Sequence, residues 1–223
     1  MDGQVMKVYR LLLDAYGEQG WWPVGGTCSA SFKKRKRIPT ERFEICVGTI
    51  LAQNTTWKNA EKALENLREA DALHKERMGK LSQKELATLI RAAGYYKMKA
   101  KKLKEFLKYS GRISREGLLG VWGCGPETVD SMLLYAYGQP VFVVDAYARR
   151  IFSRMGLCKK NITYEELQKY FEGNLPADPK LYNEYHALLV EHGKLHCRAT
   201  PECSGCPLER LCKKKGIKST KEK

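Results

Sequence analysis

Four cysteines near the C-terminus, Cys197, Cys203, Cys206 and Cys212, stand in the pattern C-x5-C-x2-C-x5-C. Four thiolates joined by loops this short can converge on one metal centre, and zinc and a [4Fe–4S] cluster are both reasonable for such a donor set. The other four, Cys28, Cys46, Cys124 and Cys158, are scattered, which argues against a disulfide framework. His186, His192 and His196 lie close by in sequence and read as packing or hydrogen-bonding residues rather than ligands. A second group centres on Asp145, which follows the apolar run Val141–Val144 and precedes a helical pattern over Tyr147–Met155. By position it is a helix N-cap, and a carboxylate held by backbone N–H groups also stays ionised and rigid enough for catalysis. Arg149 and Arg150 can reach phosphate or pair with an acidic neighbour.

The stretch Leu118–Asp130 reads as helix, tight Gly123-Cys124-Gly125 turn, and second helix with Pro126 at its first position, where a missing N–H costs nothing. The two glycines allow positive φ and leave N–H groups bare at a helix N-terminus, a seat for a phosphate oxygen. On its own a G-x-G between helices is equally an ordinary turn. Trp21-Trp22-Pro23 and Phe43 are either core or a stacking pocket.

Helical periodicity positions these groups. Trp57, Ala60, Leu64 and Leu67 share one face, as do Tyr96, Ala100, Leu103 and Leu107, and Tyr185, Leu188, Leu189 and His192. Ser82 with Glu85 and Thr163 with Glu166 form capping boxes, and Gly94, Gly138 and Gly156 mark stops. Strand-like alternation is nearly absent, so the chain reads as all-α. Gly25–Pro39 reads as a long basic loop, and the tail after Cys212 as a fraying end. Lys and Arg outnumber Asp and Glu by 40 to 25, a formal charge of +15, which favours a polyanionic partner. No run of about 18 apolar residues can span a bilayer and no secretory signal is present. The expectation is a cytoplasmic protein with no membrane association.

The order of G-x-G hairpin, second helix and V-D-x-x-x-R resembles the endonuclease III branch of the helix-hairpin-helix DNA glycosylases. Leu51-Ala52-Gln53-Asn54-Thr55, Gly94-Tyr95-Tyr96 followed by Lys99-Ala100, and the four cysteines carry the likeness along nearly the whole chain. The resemblance implies two helical lobes, 26–137 with the hairpin and 1–25 plus 138–223 with the cysteines, holding DNA and an extruded base in the cleft between them. It implies that Asp145 is the catalytic carboxylate and that the cysteines hold [4Fe–4S], although the family's first interval is usually a residue longer. It places Gln53 as the residue that fills the hole left by the base, and puts Gly123, Gly125, Thr128 and Arg149 on DNA. The expected partner is double-stranded DNA containing damaged bases, bound by a monomer in association with the nucleoid.

In bifunctional members of that family the second residue after the hairpin's last glycine is the lysine that attacks the sugar. Here it is Glu127, and a carboxylate cannot form a Schiff base. Lys99 or another lysine can stand in, but nothing in the sequence singles one out. Trp21, Trp22, Pro23, Phe43 and Glu127 resemble the base pocket of the 3-methyladenine glycosylases of this branch, where an electron-rich slot favours a cationic methylated purine. The sequence thus points to a monofunctional glycosylase for alkylated purines. A glycosylase for uracil, mismatched thymine or another uncharged lesion, and a non-catalytic DNA-binding protein, are the alternatives.

Overall fold

The computed structural model describes residues 3–28 and 36–217. It is helical throughout, and the described residues contain no strand beyond an isolated antiparallel bridge between Val24 and Thr27. The chain divides into two compact units, one of Met1–Gln19 with Pro140–Lys223 and the other of Gly20–Gln139. Residues 20–25, grouped with the C-terminal half in the sequence reading, fall in the second of these.

The Gly20–Gln139 unit contains α2 (Pro39–Leu51), α3 (Trp57–Glu69), α4 (Lys75–Lys80), α5 (Gln83–Leu89), α6 (Tyr96–Lys108), α7 (Arg115–Leu119) and α8 (Pro126–Ser131). A π-helical turn, Met132–Ala136, continues α8. Local chemistry sets the boundaries. Thr56 accepts from Asn59 N at the start of α3, and the Ser82–Glu85 capping box forms as the sequence predicts. The apolar stripe of α3, Ala60, Ala63, Leu64 and Leu67, is buried. So are α2 from Glu44 onward and the whole π turn, which makes α2 the central element of this unit.

The other unit contains α1 (Gly3–Tyr16), α9 (Ala146–Met155), α10 (Tyr164–Asn174) and α11 (Pro179–Leu195), followed by the cysteine-bearing loop. Val5, Val8 and Leu12 of α1 are fully buried, and the Tyr185 hydroxyl donates to the Val5 carbonyl at 2.8 Å. Phe142 stacks on Phe171 with ring centroids 3.9 Å apart. Thr163 and Glu166 form the second predicted capping box, and Gly156 ends α9 with φ of 77°.

Two loop expectations change. Of the basic loop Gly25–Pro39, residues 29–35 lie outside the described ones, while Arg37 is buried and donates through Nη2 to the Trp22 carbonyl at 3.0 Å. The tail does not fray directly after Cys212, because the Lys215 N–H donates to the carbonyl of Arg154 at 2.9 Å. That bond satisfies a carbonyl in the last turn of α9. Residues 218–223 lie outside the described ones.

Candidate active site

The hairpin is built by α7 and α8. Ser114 caps α7, accepting from Gly117 N at 3.2 Å, and Pro126 takes the first position of α8. The two glycines have different tasks. Gly123 has φ of 90°, and a Cβ there would lie 2.5 Å from Lys102 Cγ. Gly125 is instead an extended N-cap, φ −87° and ψ 175°, so positive φ is needed at one position of the pair. Arg115 and Asp130 fasten the arms together, with Nε to Oδ1 at 2.7 Å and Nη2 to Oδ2 at 3.1 Å. Glu127 is exposed on the first turn of α8. Lys101 Nζ lies 4.4 Å from the ring centroid of Trp122, itself half exposed beside the turn.

Gln53 supports this hairpin from below. Its Nε2 donates to the Gly123 carbonyl at 3.1 Å and to Thr128 Oγ1 at 2.9 Å, while its Oε1 accepts from Lys102 Nζ at 2.5 Å. Gln53 and Thr128, both expected on DNA, are bonded to each other within the unit. Thr128 is buried and both ends of the amide are engaged within the unit. Any plugging role requires Gln53 to leave three partners.

Lys99 is also accounted for. Its side chain is buried, and Nζ donates to the carbonyls of Leu51 at 2.8 Å and Ala93 at 2.7 Å. Burial, with the neighbouring Lys102 ammonium, pushes its pKa down to about 8.

The aromatic group separates into two parts. Trp21 and Trp22 meet Tyr135 of the π turn at centroid distances of 6.4 and 5.1 Å, and Trp22 meets Trp57 edge-on at 5.1 Å. Pro23 and Trp22 are buried, whereas Trp21 keeps part of its surface open. Gly48 of α2 makes room for Trp22, since a Cβ there would lie 3.3 Å from the indole nitrogen. Phe43 is not brought into this group. It lines a groove with Pro39, Arg42, Cys46, Phe106 and Tyr137. Five residues before Gly48, it points about 140° away around the helix. Trp57 and Tyr135 were not singled out from sequence, because each lies in an ordinary apolar helical stripe.

Asp145 is the N-cap of α9, and its Oδ1 accepts from Ala148 N at 2.7 Å. Its Oδ2 lies 3.7 Å from Nε2 of His186 on α11, with both side chains nearly buried. Arg149 and Arg150 line a groove with Arg154, Lys160 and Lys215, a run of cations with no acidic side chain among its walls. Arg150 also donates through Nε to the Cys197 carbonyl at 2.6 Å.

All four C-terminal cysteines line one small cavity, together with apolar Ile151, Met155, Leu208 and Ile217. Arg154 reaches Cys197 Sγ at 3.4 Å and the carbonyls of Arg198 and Ala199 at 2.5 and 2.8 Å. Burial, then neighbouring thiols, raises the Cys206 and Cys212 pKa values against the opposing effect of backbone hydrogen bonds. His192 sits beside the thiols, with Nε2 3.8 Å from Cys206 Sγ. Burial and nearby His196 hold it down to about 4, and its Nδ1 shares a hydrogen bond with the Tyr16 hydroxyl at 2.9 Å. Among the described residues no three His, Cys, Asp or Glu side chains are drawn together as around a single ion.

Residues 47–177 match the model of the HhH-GPD superfamily base excision DNA repair proteins. The chain belongs to that family. A Methanocaldococcus jannaschii protein named as a DNA repair glycosylase is 41% identical over 224 residues, covering 93% of this chain and 95% of the relative. Endonuclease III of Thermotoga maritima is 32% identical over 190 residues, 79% of this chain and 87% of that one. A trapped endonuclease III–DNA covalent intermediate superimposes with a TM-score of 0.77 at 22% identity, over 96% of each chain. The protein is thus a base excision DNA repair glycosylase of the endonuclease III type, with the all-helical fold of that group. Among the described residues no helix is long and apolar enough to cross a membrane.

Within an HhH-GPD glycosylase, Glu127 gains its meaning from its place as the second residue after Gly125. Lys102 and Arg154 were missed as supporting residues. Each lies in a basic stretch whose members look alike until a tertiary partner is known.

Proposed function

We propose that this glycosylase is monofunctional and removes alkylated purines, 3-methyladenine among them, by hydrolysing the N-glycosidic bond. The observation that carries the reading is Glu127, an exposed carboxylate on the first turn of α8 where the lyase reaction of bifunctional relatives requires an amine. Lys99, the alternative amine considered from sequence, is committed to two backbone carbonyls. The partly open Trp21 face, backed by Trp22 and Tyr135, supports a cationic base, whose attraction to an electron-rich ring its neutral parent lacks.

In this reading Asp145 stays ionised and stabilises the positive charge that grows on the deoxyribose as the base departs. Its ordered capping bond to Ala148 fixes one oxygen, so little reorganisation accompanies the step. A base already cationic leaves without much acid assistance, which suits a site with one such carboxylate. The basic groove around Arg149 serves phosphate binding without sequence preference.

The residues fit an iron–sulfur cluster. Four thiols share one largely apolar cavity, and a cationic Arg154 adjoins the donor set. Cys197, Cys203, Cys206 and Cys212 would hold [4Fe–4S], which supplies structural order to a loop with few apolar residues of its own. Arg150 and Arg154 of α9 hold the backbone carbonyls of Cys197, Arg198 and Ala199 beside the first of these thiols.

Base release from methylated genomic DNA, beside duplexes carrying uracil or a thymine mismatch, tests the substrate. Free 3-methyladenine is the expected product, and release of uracil or thymine without methylpurine overturns the assignment. Borohydride added with abasic duplex is expected to trap no protein–DNA adduct.

A further inference from the structure

His186 is nearly buried in the middle of α11, and its Nε2 faces Oδ2 of Asp145 at 3.7 Å. The other carboxylate oxygen is already engaged by Ala148 N. This meeting is set by the packing of α9 on α11, whose register is fixed at a second place seven residues further along α11. There Gly193 admits the Tyr147 ring so closely that any Cβ would collide with it. The carbonyl of Gly193 also accepts from Arg150 Nη2 at 3.3 Å. An imidazole lone pair directed at an ionised carboxylate would repel it, so Nε2 carries hydrogen when Asp145 is charged.

We infer that His186 is a positioning residue for base removal, restraining Oδ2 while the α9 N-terminus restrains Oδ1. The inference rests on the reading of Asp145 as the catalytic carboxylate. Rotation about the Asp145 side chain would break the Ala148 bond or carry Oδ2 away from Nε2, whose 3.7 Å approach is an electrostatic contact rather than a hydrogen bond. The charge therefore keeps its direction as the sugar becomes cationic, and the benefit falls on the chemical step rather than on DNA binding.

The test is a double-mutant cycle on single-turnover base release, using the full-length protein and the duplex that the wild type processes in the panel above. His186→Phe is expected to slow release at least about 10-fold, as loss of a supporting partner typically does. Its affinity for abasic duplex, followed by fluorescence anisotropy, is expected to stay within about twofold, since no phosphate contact is removed. His186→Gln restores an N–H near the Nε2 position and is expected to recover most of the rate. Combined with Asp145→Asn, His186→Phe is expected to add nothing, because the group it positions has gone.

Wild-type release by His186→Phe beside an inactive Asp145→Asn overturns this inference alone, as do losses that multiply in the double variant. Wild-type release by Asp145→Asn overturns the catalytic assignment itself. Should His186→Phe lose its cooperative melting transition, His186→Asn replaces it, with an amide too short to reach Asp145. Slow release then supports the inference and an unchanged rate overturns it.

Discussion

The ammonium of Lys99, on α6, donates to the carbonyl of Leu51 at the last residue of α2, 2.8 Å away, and closes a second bond to Ala93. A lysine that the sequence left open as a lyase nucleophile is instead a clamp across three segments of one unit. Lys99→Met is expected to leave two buried carbonyls unpaired and to lower stability by roughly 2–4 kcal/mol. Urea unfolding checks this, and an unchanged midpoint would show that the carbonyls find other donors.

Arg115 and Asp130 hold the arms of the hairpin, and the Asp130 side chain is fully buried. Arg115→Leu removes both guanidinium bonds from that buried carboxylate and is expected to cost up to about 3–5 kcal/mol, the usual penalty for breaking a buried pair from one side. Asp130→Asn removes the buried charge and is expected to cost less, because Arg115 is partly exposed and can turn to water. Comparing the two denaturation midpoints decides the point.

Gly123→Ala meets two obstacles, positive φ and the Lys102 side chain. The residue also presents the carbonyl that Gln53 holds. Weaker binding to abasic duplex and a lower melting temperature are expected together. Gly125→Ala has open space around its Cβ and extended backbone, so its melting temperature is expected to change much less.

Asp145→Asn retains a side-chain oxygen able to accept from Ala148, so α9 keeps its cap. The fold is expected to survive while base release falls at least about 10²-fold, the scale of losing one preorganised electrostatic group. Retention of full activity would remove Asp145 from the reaction.

Protein purified without oxygen is expected to be brown and to contain about four iron atoms per chain, as a cubane requires. Cys203→Ser is expected to lose iron and to make the segment after Leu195 sensitive to protease. A colourless preparation containing zinc would reverse the choice of metal.

Much of the architecture was legible because helix signals act over short distances. The capping boxes at Ser82 and Thr163, Pro126 at the head of α8 and Asp145 at the head of α9 all involve residues within about one turn of each other. Phe43 shows the limit of that information. It shares a helix with Gly48, against which Trp22 packs, and yet points into a different groove.

The sequence by itself determined the helices, the hairpin turn, the cysteine spacing and the absence of an amine at position 127, since each depends on residue type and near neighbours. Only the tertiary structure decided that Lys99 is a clamp, that Gln53 is tied to Lys102 and Thr128, and that His186 faces Asp145. Those contacts join residues more than forty positions apart. Their hydrogen bonds and close approaches follow from how the helices pack, which local periodicity leaves open.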